Sequence, residues 1–273
     1  MFKQRVLTAL LLGPISIWAT LALPSHWFAG ILAAVFILGA WEWGGLARLG
    51  TGLQRLAYAV LFATVMFALL INIDVLHVIA PATIFVACVW WLLAFVFVVL
   101  FPRGSQLWYS SPVAIAVAGL LSLWPAWIAI VTLHTHVGPG YTLLLFFLVW
   151  GADIGAYFAG RTFGRRKLAP AVSPGKTWAG VGGALVATVL ITLPGLWVLQ
   201  QPKAEWLVII FIALLAVAFS IVGDLSESMF KRMANLKDSG NILPGHGGML
   251  DRIDSLCAAA PVFAAGLLWR GLL

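Results

Sequence analysis

The sequence predicts an all-α, polytopic integral membrane protein of about nine transmembrane helices with a cytoplasmic N-terminus. Three observations carry that prediction. The chain of 273 residues is 63% hydrophobic and only 9% charged, with a mean hydropathy of +1.05, whereas soluble domains are about a quarter charged. Apolar runs of roughly 20 residues, the length a bilayer-crossing helix needs, recur along the whole chain. Finally, with the N-terminus inside, 14 of the 16 Lys and Arg residues fall in cytoplasmic segments, and only Lys203 and Arg270 fall outside. That is the asymmetry of the positive-inside rule.

The spans follow in order. Lys3 and Arg5 precede an apolar run over 6–23, too long and without a clear small-residue cleavage site for a signal peptide, so it reads as an uncleaved first span. Further spans are expected at 27–47, 56–73, 76–101, 112–133, 141–160, 178–199, 206–222 and 253–272. Glu42 sits between Trp41 and Trp43 near the end of the second. His134 and His136 fall in an outside loop, and the 14 Trp read mostly as interfacial belt residues. Polar chemistry is concentrated late. Residues 1–135 therefore read as scaffold helices and 136–273 as a catalytic half, with cytoplasmic loops 161–177 and 224–252. The absence of inverted halves, and outer span halves nearly free of polar groups, disfavour a transporter.

The net charge of +7 needs no nucleic-acid partner, because cytoplasmic loops beside anionic lipid account for it. Cys88 and Cys257 both lie inside spans, without metal-ligand or disulfide spacing.

One stretch concentrates the chemistry: Gly223 to Asp254, GDLSESMFKRMANLKDSGNILPGHGGMLDRID, which holds five of the nine carboxylates. Its first part continues the eighth span as a helix. Asp224, Glu227, Ser228, Lys231 and Arg232 then share one face, acids deep and cations shallow, an order suited to a divalent cation and phosphates. Its second part, KDSGNILPGHGG, is a loop. Lys237, Asp238, His246, Gly247 and Gly248 are expected to contact phosphate or nucleotide there. Its third part opens the ninth span with Asp251, Arg252 and Asp254. Asp251 and Asp254 lie one turn apart and, facing Asp224, would offer Mg²⁺ the oxygen ligands it favours.

Loop 161–177 is the second polar cluster. Ser173 reads as an N-cap and Pro174 as the first residue of the seventh helix, which would leave free N–H groups beside Lys176 for an anion. Gly175-Lys176-Thr177 does not read as a P-loop, since Pro170 stands where its earlier glycine belongs and no strand is expected ahead of it. Gly151, Gly155 and Ala159, at four-residue spacing, read as helix packing.

The spacing of Ser228, Lys231-Arg232, Lys237-Asp238, Gly240, Pro244, His246-Gly247-Gly248, Asp251-Arg252 and Asp254 resembles the signature of the phosphatidate cytidylyltransferase (CDP-diacylglycerol synthase) family. The run with Asp153, Tyr157-Phe158, Gly160-Arg161, Phe163-Gly164, Lys167-Leu168, Pro170 and Ser173-Pro174 is similar to that family's second motif region. The chain departs from the pattern at Gly175 and Ala179, where members often carry Lys and Glu. The resemblance implies that CTP and phosphatidate from the inner leaflet combine to give CDP-diacylglycerol and pyrophosphate, with Mg²⁺ and room for a second cation. The reading of the residues supplies a mechanism for that reaction, with Asp224, Lys231, Arg232 and Asp251 expected as catalytic residues and Asp224, Asp251 and Asp254 as metal ligands. Substrate would be held by Ser173, Lys176, Ser228, Lys237, Asp238, His246, Gly247, Gly248 and Arg252. A bacterial inner-membrane location with the site facing the cytoplasm is expected, and a homodimer is left open. The runners-up are CTP-dependent transfer to another membrane lipid and, remotely, an ion-coupled transporter.

Overall fold

The computed structural model describes residues 2–103, 111–242 and 247–273, with side chains from residue 11 onward. Nine long helices are present among the described residues: α1 Phe2–Ala22, α2 Ser25–Leu46, α3 Gly52–Ile71, α4 Ile73–Leu100, α5 Pro112–Thr132, α6 Pro139–Phe163, α7 Trp178–Val198, α8 Trp206–Met233 and α9 Leu250–Arg270. Eight of them are long and apolar enough to cross a membrane, and α1 contains the shorter apolar stretch Leu11–Ala22. Each expected span coincides with one of these helices. The protein is an integral membrane protein of the all-α class.

Local sequence sets several of the ends. Thr51 and Gln54 form a reciprocal capping box on α3, and Ser111 caps α5 ahead of Pro112. Gly271, in the left-handed region at φ 75°, stops α9. His134 lies in a single π-turn, Leu133–Val137, that extends α5. It is buried there, with Nε2 3.0 Å from the Thr20 carbonyl and its ring stacked on Phe28. It joins helices, and no metal-binding cluster is found around it among the described residues.

The bundle is organised around α9 and α5. The apolar windows of both are 61% buried against 22% for α7, so the former are interior and the latter is a wall. Four tryptophans depart from the belt expectation: Trp43, Trp90, Trp91 and Trp127 are buried in the core. Three of them spend the indole N–H on neighbouring helices. Trp43 donates to the Ile115 carbonyl (2.7 Å), Trp90 to Ser122 Oγ (2.9 Å) and Trp127 to the Ala29 carbonyl (3.1 Å). Leaving an indole N–H unpaired in an apolar interior is costly, and each of these three bonds also fixes a helix pair.

Helices α6 and α7 touch through their backbones. A Cβ built on Gly155 would lie 2.6 Å from the Gly183 carbonyl oxygen, while Gly151 makes room for the Ile191 side chain. The small-residue spacing of α6 is therefore a packing seam, as expected.

One local expectation fails. Ser173 does not cap α7. Residues Ser173–Thr177 form strand β2, which pairs antiparallel with β1 (Lys167–Ala169). The cap is Thr177, whose extended backbone lets its hydroxyl accept from Gly180 N at 3.1 Å. The hairpin is held at its turn, where Arg232 Nε donates to the Val172 carbonyl (3.3 Å).

Candidate active site

At one end of the bundle a cavity of about 360 Å³ opens between α6, the hairpin, α7, α8 and the start of α9. Asp153 and Arg161 of α6, Lys176 of β2, Asp224 and Ser220 of α8, and Ser255 of α9 line it together with small residues. Its size is that of a small-ligand site. Its chemistry is unusual for a bilayer protein, where ionisable groups are costly and mark function.

The hairpin carries Lys176 across the cavity to α8, where its Nζ lies 2.5 Å from Asp224 Oδ2. Ser228, one turn further along α8, donates to Asp224 Oδ1 (3.4 Å). Helices α8 and α9 approach closely at Gly223, where a Cβ would lie 2.5 Å from the Asp254 carbonyl oxygen. That contact brings Asp254 within electrostatic range of Asp224, Lys176 and Lys231. Asp153 is likewise within range of Asp224, Lys176 and Arg252. Asp254 Oδ1 also accepts from Ser255 N (2.6 Å).

A second cluster adjoins this one. Lys231 Nζ is 2.6 Å from Glu227 Oε2 and 2.6 Å from Asp251 Oδ1, which ties α8 to the first turn of α9. Asp251 Oδ2 accepts from Gly248 N (2.8 Å) and Ser239 N (3.1 Å). The glycine-loop N–H at Gly248, expected to approach a phosphate, is thus already satisfied by a carboxylate of the protein. Gly247, at φ 82°, adopts a backbone shape that favours glycine.

The expected site residues therefore separate. Asp224, Ser228 and Lys176 meet at the cavity, with Asp254 and Arg252 within electrostatic range of it. Lys231 and Asp251 meet each other beside it. Arg232 turns to the hairpin, and Ser173 lies on the strand that the hairpin adds. Lys237 and Asp238 are exposed on the loop between α8 and α9. His246 lies outside the described residues. Three residues had no assigned role in the sequence and are now placed: Asp153 and Arg161 on the cavity wall, and Glu42, which is buried beside the loop. A carboxylate at membrane depth was the available signal for Asp153.

The whole chain has close counterparts. The sequence profile described as the cytidylyltransferase family matches residues 3–269. The chain belongs to that family. Among relatives of this cytidylyltransferase, the phosphatidate cytidylyltransferase of Pseudomonas aeruginosa is 49% identical, over 98% of this chain and 97% of the relative. That of Haemophilus influenzae is 38% identical over 97% and 98%, and that of Brucella suis 33% over 94% and 90%.

For a cytidylyltransferase a divalent cation is the expected companion of the nucleotide, and the donor set can be tested for it. Mg²⁺ takes one or two carboxylates and completes its shell with water and substrate phosphate. Asp153, Asp224 and Asp254 provide hard oxygen donors at or beside the cavity. Behind them, Glu227 is 2% exposed and neither of its oxygens has an aligned hydrogen bond, although Oε2 pairs with Lys231. The chemistry fits. The expected cage of Asp224, Asp251 and Asp254 is not preformed, however. Among the described residues no three such side chains converge on one ion position, and Asp251 is engaged by Lys231 and two backbone N–H groups.

Proposed function

We propose that this cytidylyltransferase condenses CTP with phosphatidate to give CDP-diacylglycerol and pyrophosphate. The observation that carries the reading is the cavity itself, where Asp153 and Asp224 stand with Lys176 and Arg161 at one end of a membrane bundle. The whole-chain match to relatives named phosphatidate cytidylyltransferase supports the choice of substrates.

The reaction joins two polyanions. An oxygen of the lipid phosphate attacks the α-phosphorus of CTP, a new P–O bond forms, and the bond to the β-phosphate breaks with its electrons going to pyrophosphate. The nucleophile is already anionic, so general-base help is slight, and catalysis consists of positioning and charge neutralisation. Lys176 and Arg161, which line the cavity, would gather phosphates, with Arg252 adding positive charge within electrostatic range. Lys176 would exchange its Asp224 partner for a phosphate oxygen as substrate enters. Mg²⁺ held by Asp224 with Asp153 or Asp254 would supply further positive charge at the reacting phosphate. Asp251 can join them only when the Lys231 ammonium leaves its Oδ1.

The Lys/Arg asymmetry supports nine crossings, a cytoplasmic N-terminus and a site facing the cytoplasm of a bacterial inner membrane, where CTP is available. Exposed Tyr157 and Phe158 beside Arg161 suit a cavity mouth that meets lipid. The test is direct: purified protein in detergent with labelled CTP, phosphatidate and Mg²⁺ should form a labelled CDP-lipid. No such product, under conditions where the P. aeruginosa relative is active, would overturn the reading.

A further inference from the structure

Glu42 belongs to α2, in the half of the chain expected to be scaffold, yet it is only 4% exposed and carries a carboxylate. Its partners explain why. Oε2 accepts from Leu250 N (2.7 Å) and Ser239 Oγ (3.2 Å), and Oε1 accepts from Met249 N (3.1 Å). Met249 and Leu250 are the residues at which α9 begins, and the N–H groups of a first helical turn have no partner within their own helix. A carboxylate there satisfies both the donors and the positive end of the helix dipole. The loop is shaped around this group: a methyl added at Gly240 or at Gly248 would overlap the Glu42 carboxylate. Its own helix is anchored by Trp43, the next residue, through the bond to Ile115 and ring contact with Phe230.

Glu42 and Asp251 therefore grip the same loop from two sides. Asp251 takes Ser239 N and Gly248 N, and Glu42 takes Ser239 Oγ, Met249 N and Leu250 N. What they fix is the rotation and depth of α9 where it carries Asp251 and Asp254. We propose that Glu42 is a positioning residue for the nucleotidyl transfer: it does not touch substrate, but holds the start of α9 so that its acids face Asp224 and Lys231. This rests on the cytidylyltransferase reading above, while the fastening itself can be tested without it.

The experiment compares Glu42→Gln, Glu42→Asp and Glu42→Ala with the unaltered chain, by backbone hydrogen exchange and by turnover per folded molecule. In Glu42→Gln, exchange should rise at least tenfold across 239–242 and 247–251 and stay unchanged in α4, α5 and the body of α8. Its kcat should fall at least tenfold with KM for phosphatidate little changed, and Glu42→Asp should recover part of the loss. Loop exchange that stays at the unaltered level, or rises while kcat holds, would overturn the proposal. So would a general rise in exchange across all helices, which would make Glu42 an ordinary stabilising group. Glu42→Ala sets the upper limit of both effects if it folds; if it does not, the Gln and Asp variants decide. Should the unaltered chain prove inactive with CTP, the functional reading fails while the exchange result still decides the fastening.

Discussion

Lys176 Nζ and Asp224 Oδ2 lie 2.5 Å apart, and that pair bridges the hairpin and α8 across the cavity. Each group neutralises the other, and in the proposed reaction a phosphate or a cation would take the place of one partner. Lys176→Met and Asp224→Asn should each lower kcat/KM by about 10²–10³, the scale for losing one charge-stabilising group. The double variant should lose much less than the product of the two. Additive losses in steady-state kinetics would mean that the two groups act separately.

Asp251 offers a way to separate ligand from fastener. Asp251→Asn should remove nearly all turnover, since it breaks the Lys231 bridge and weakens the loop grip. If Asp251 ligates Mg²⁺ during turnover, the residual activity will need a much higher Mg²⁺ concentration. If it only fastens the loop, the Mg²⁺ midpoint will match that of the unaltered chain. A Mg²⁺ titration of residual activity distinguishes the two.

Lys231 is the counter-ion of a buried acid. Lys231→Met leaves Glu227 and Asp251 without it and should destabilise the fold by about 3–5 kcal/mol, the usual cost of breaking a buried pair from one side. Adding Glu227→Gln should recover part of that loss, because one stranded charge is gone. Denaturant unfolding in detergent measures both, and a double variant no more stable than the single would place the Glu227 charge elsewhere.

The α6–α7 seam should resist even one methyl. A Cβ on Gly183 would overlap the Gly155 carbonyl and press on Ala159. Gly183→Ala should therefore cost about 1–3 kcal/mol, as overpacking does. A melting temperature in detergent unchanged from that of the original chain would mean that the seam opens freely.

Most of the fold was legible because the bilayer makes length and hydropathy sufficient: each expected span met a helix. The division of the stretch 223–254 into helix, loop and helix was legible for the same reason, with Pro244 and the glycines breaking the period. The hairpin was not, since Pro174 and Thr177 suit a helix start as well as a strand leading into one. Nor could spacing say that Lys231 would bind Asp251 rather than a phosphate, or that Arg232 would turn to Val172. Glu42 was the least accessible, because its partners Met249 and Leu250 lie more than 200 residues further along the chain.

Helix α9 is among the most buried helices of the bundle and comes after all the other eight in the chain. The neighbours that bury it, α2, α4, α5, α6 and α8, all precede it in the chain and are synthesised before it. Until then Glu42 has no helix start to hold and Lys231 has lost one of its two acids. A chain that ended before residue 250 would thus keep Asp153, Lys176 and Asp224 of the cavity wall but lack Asp251, Asp254 and Ser255.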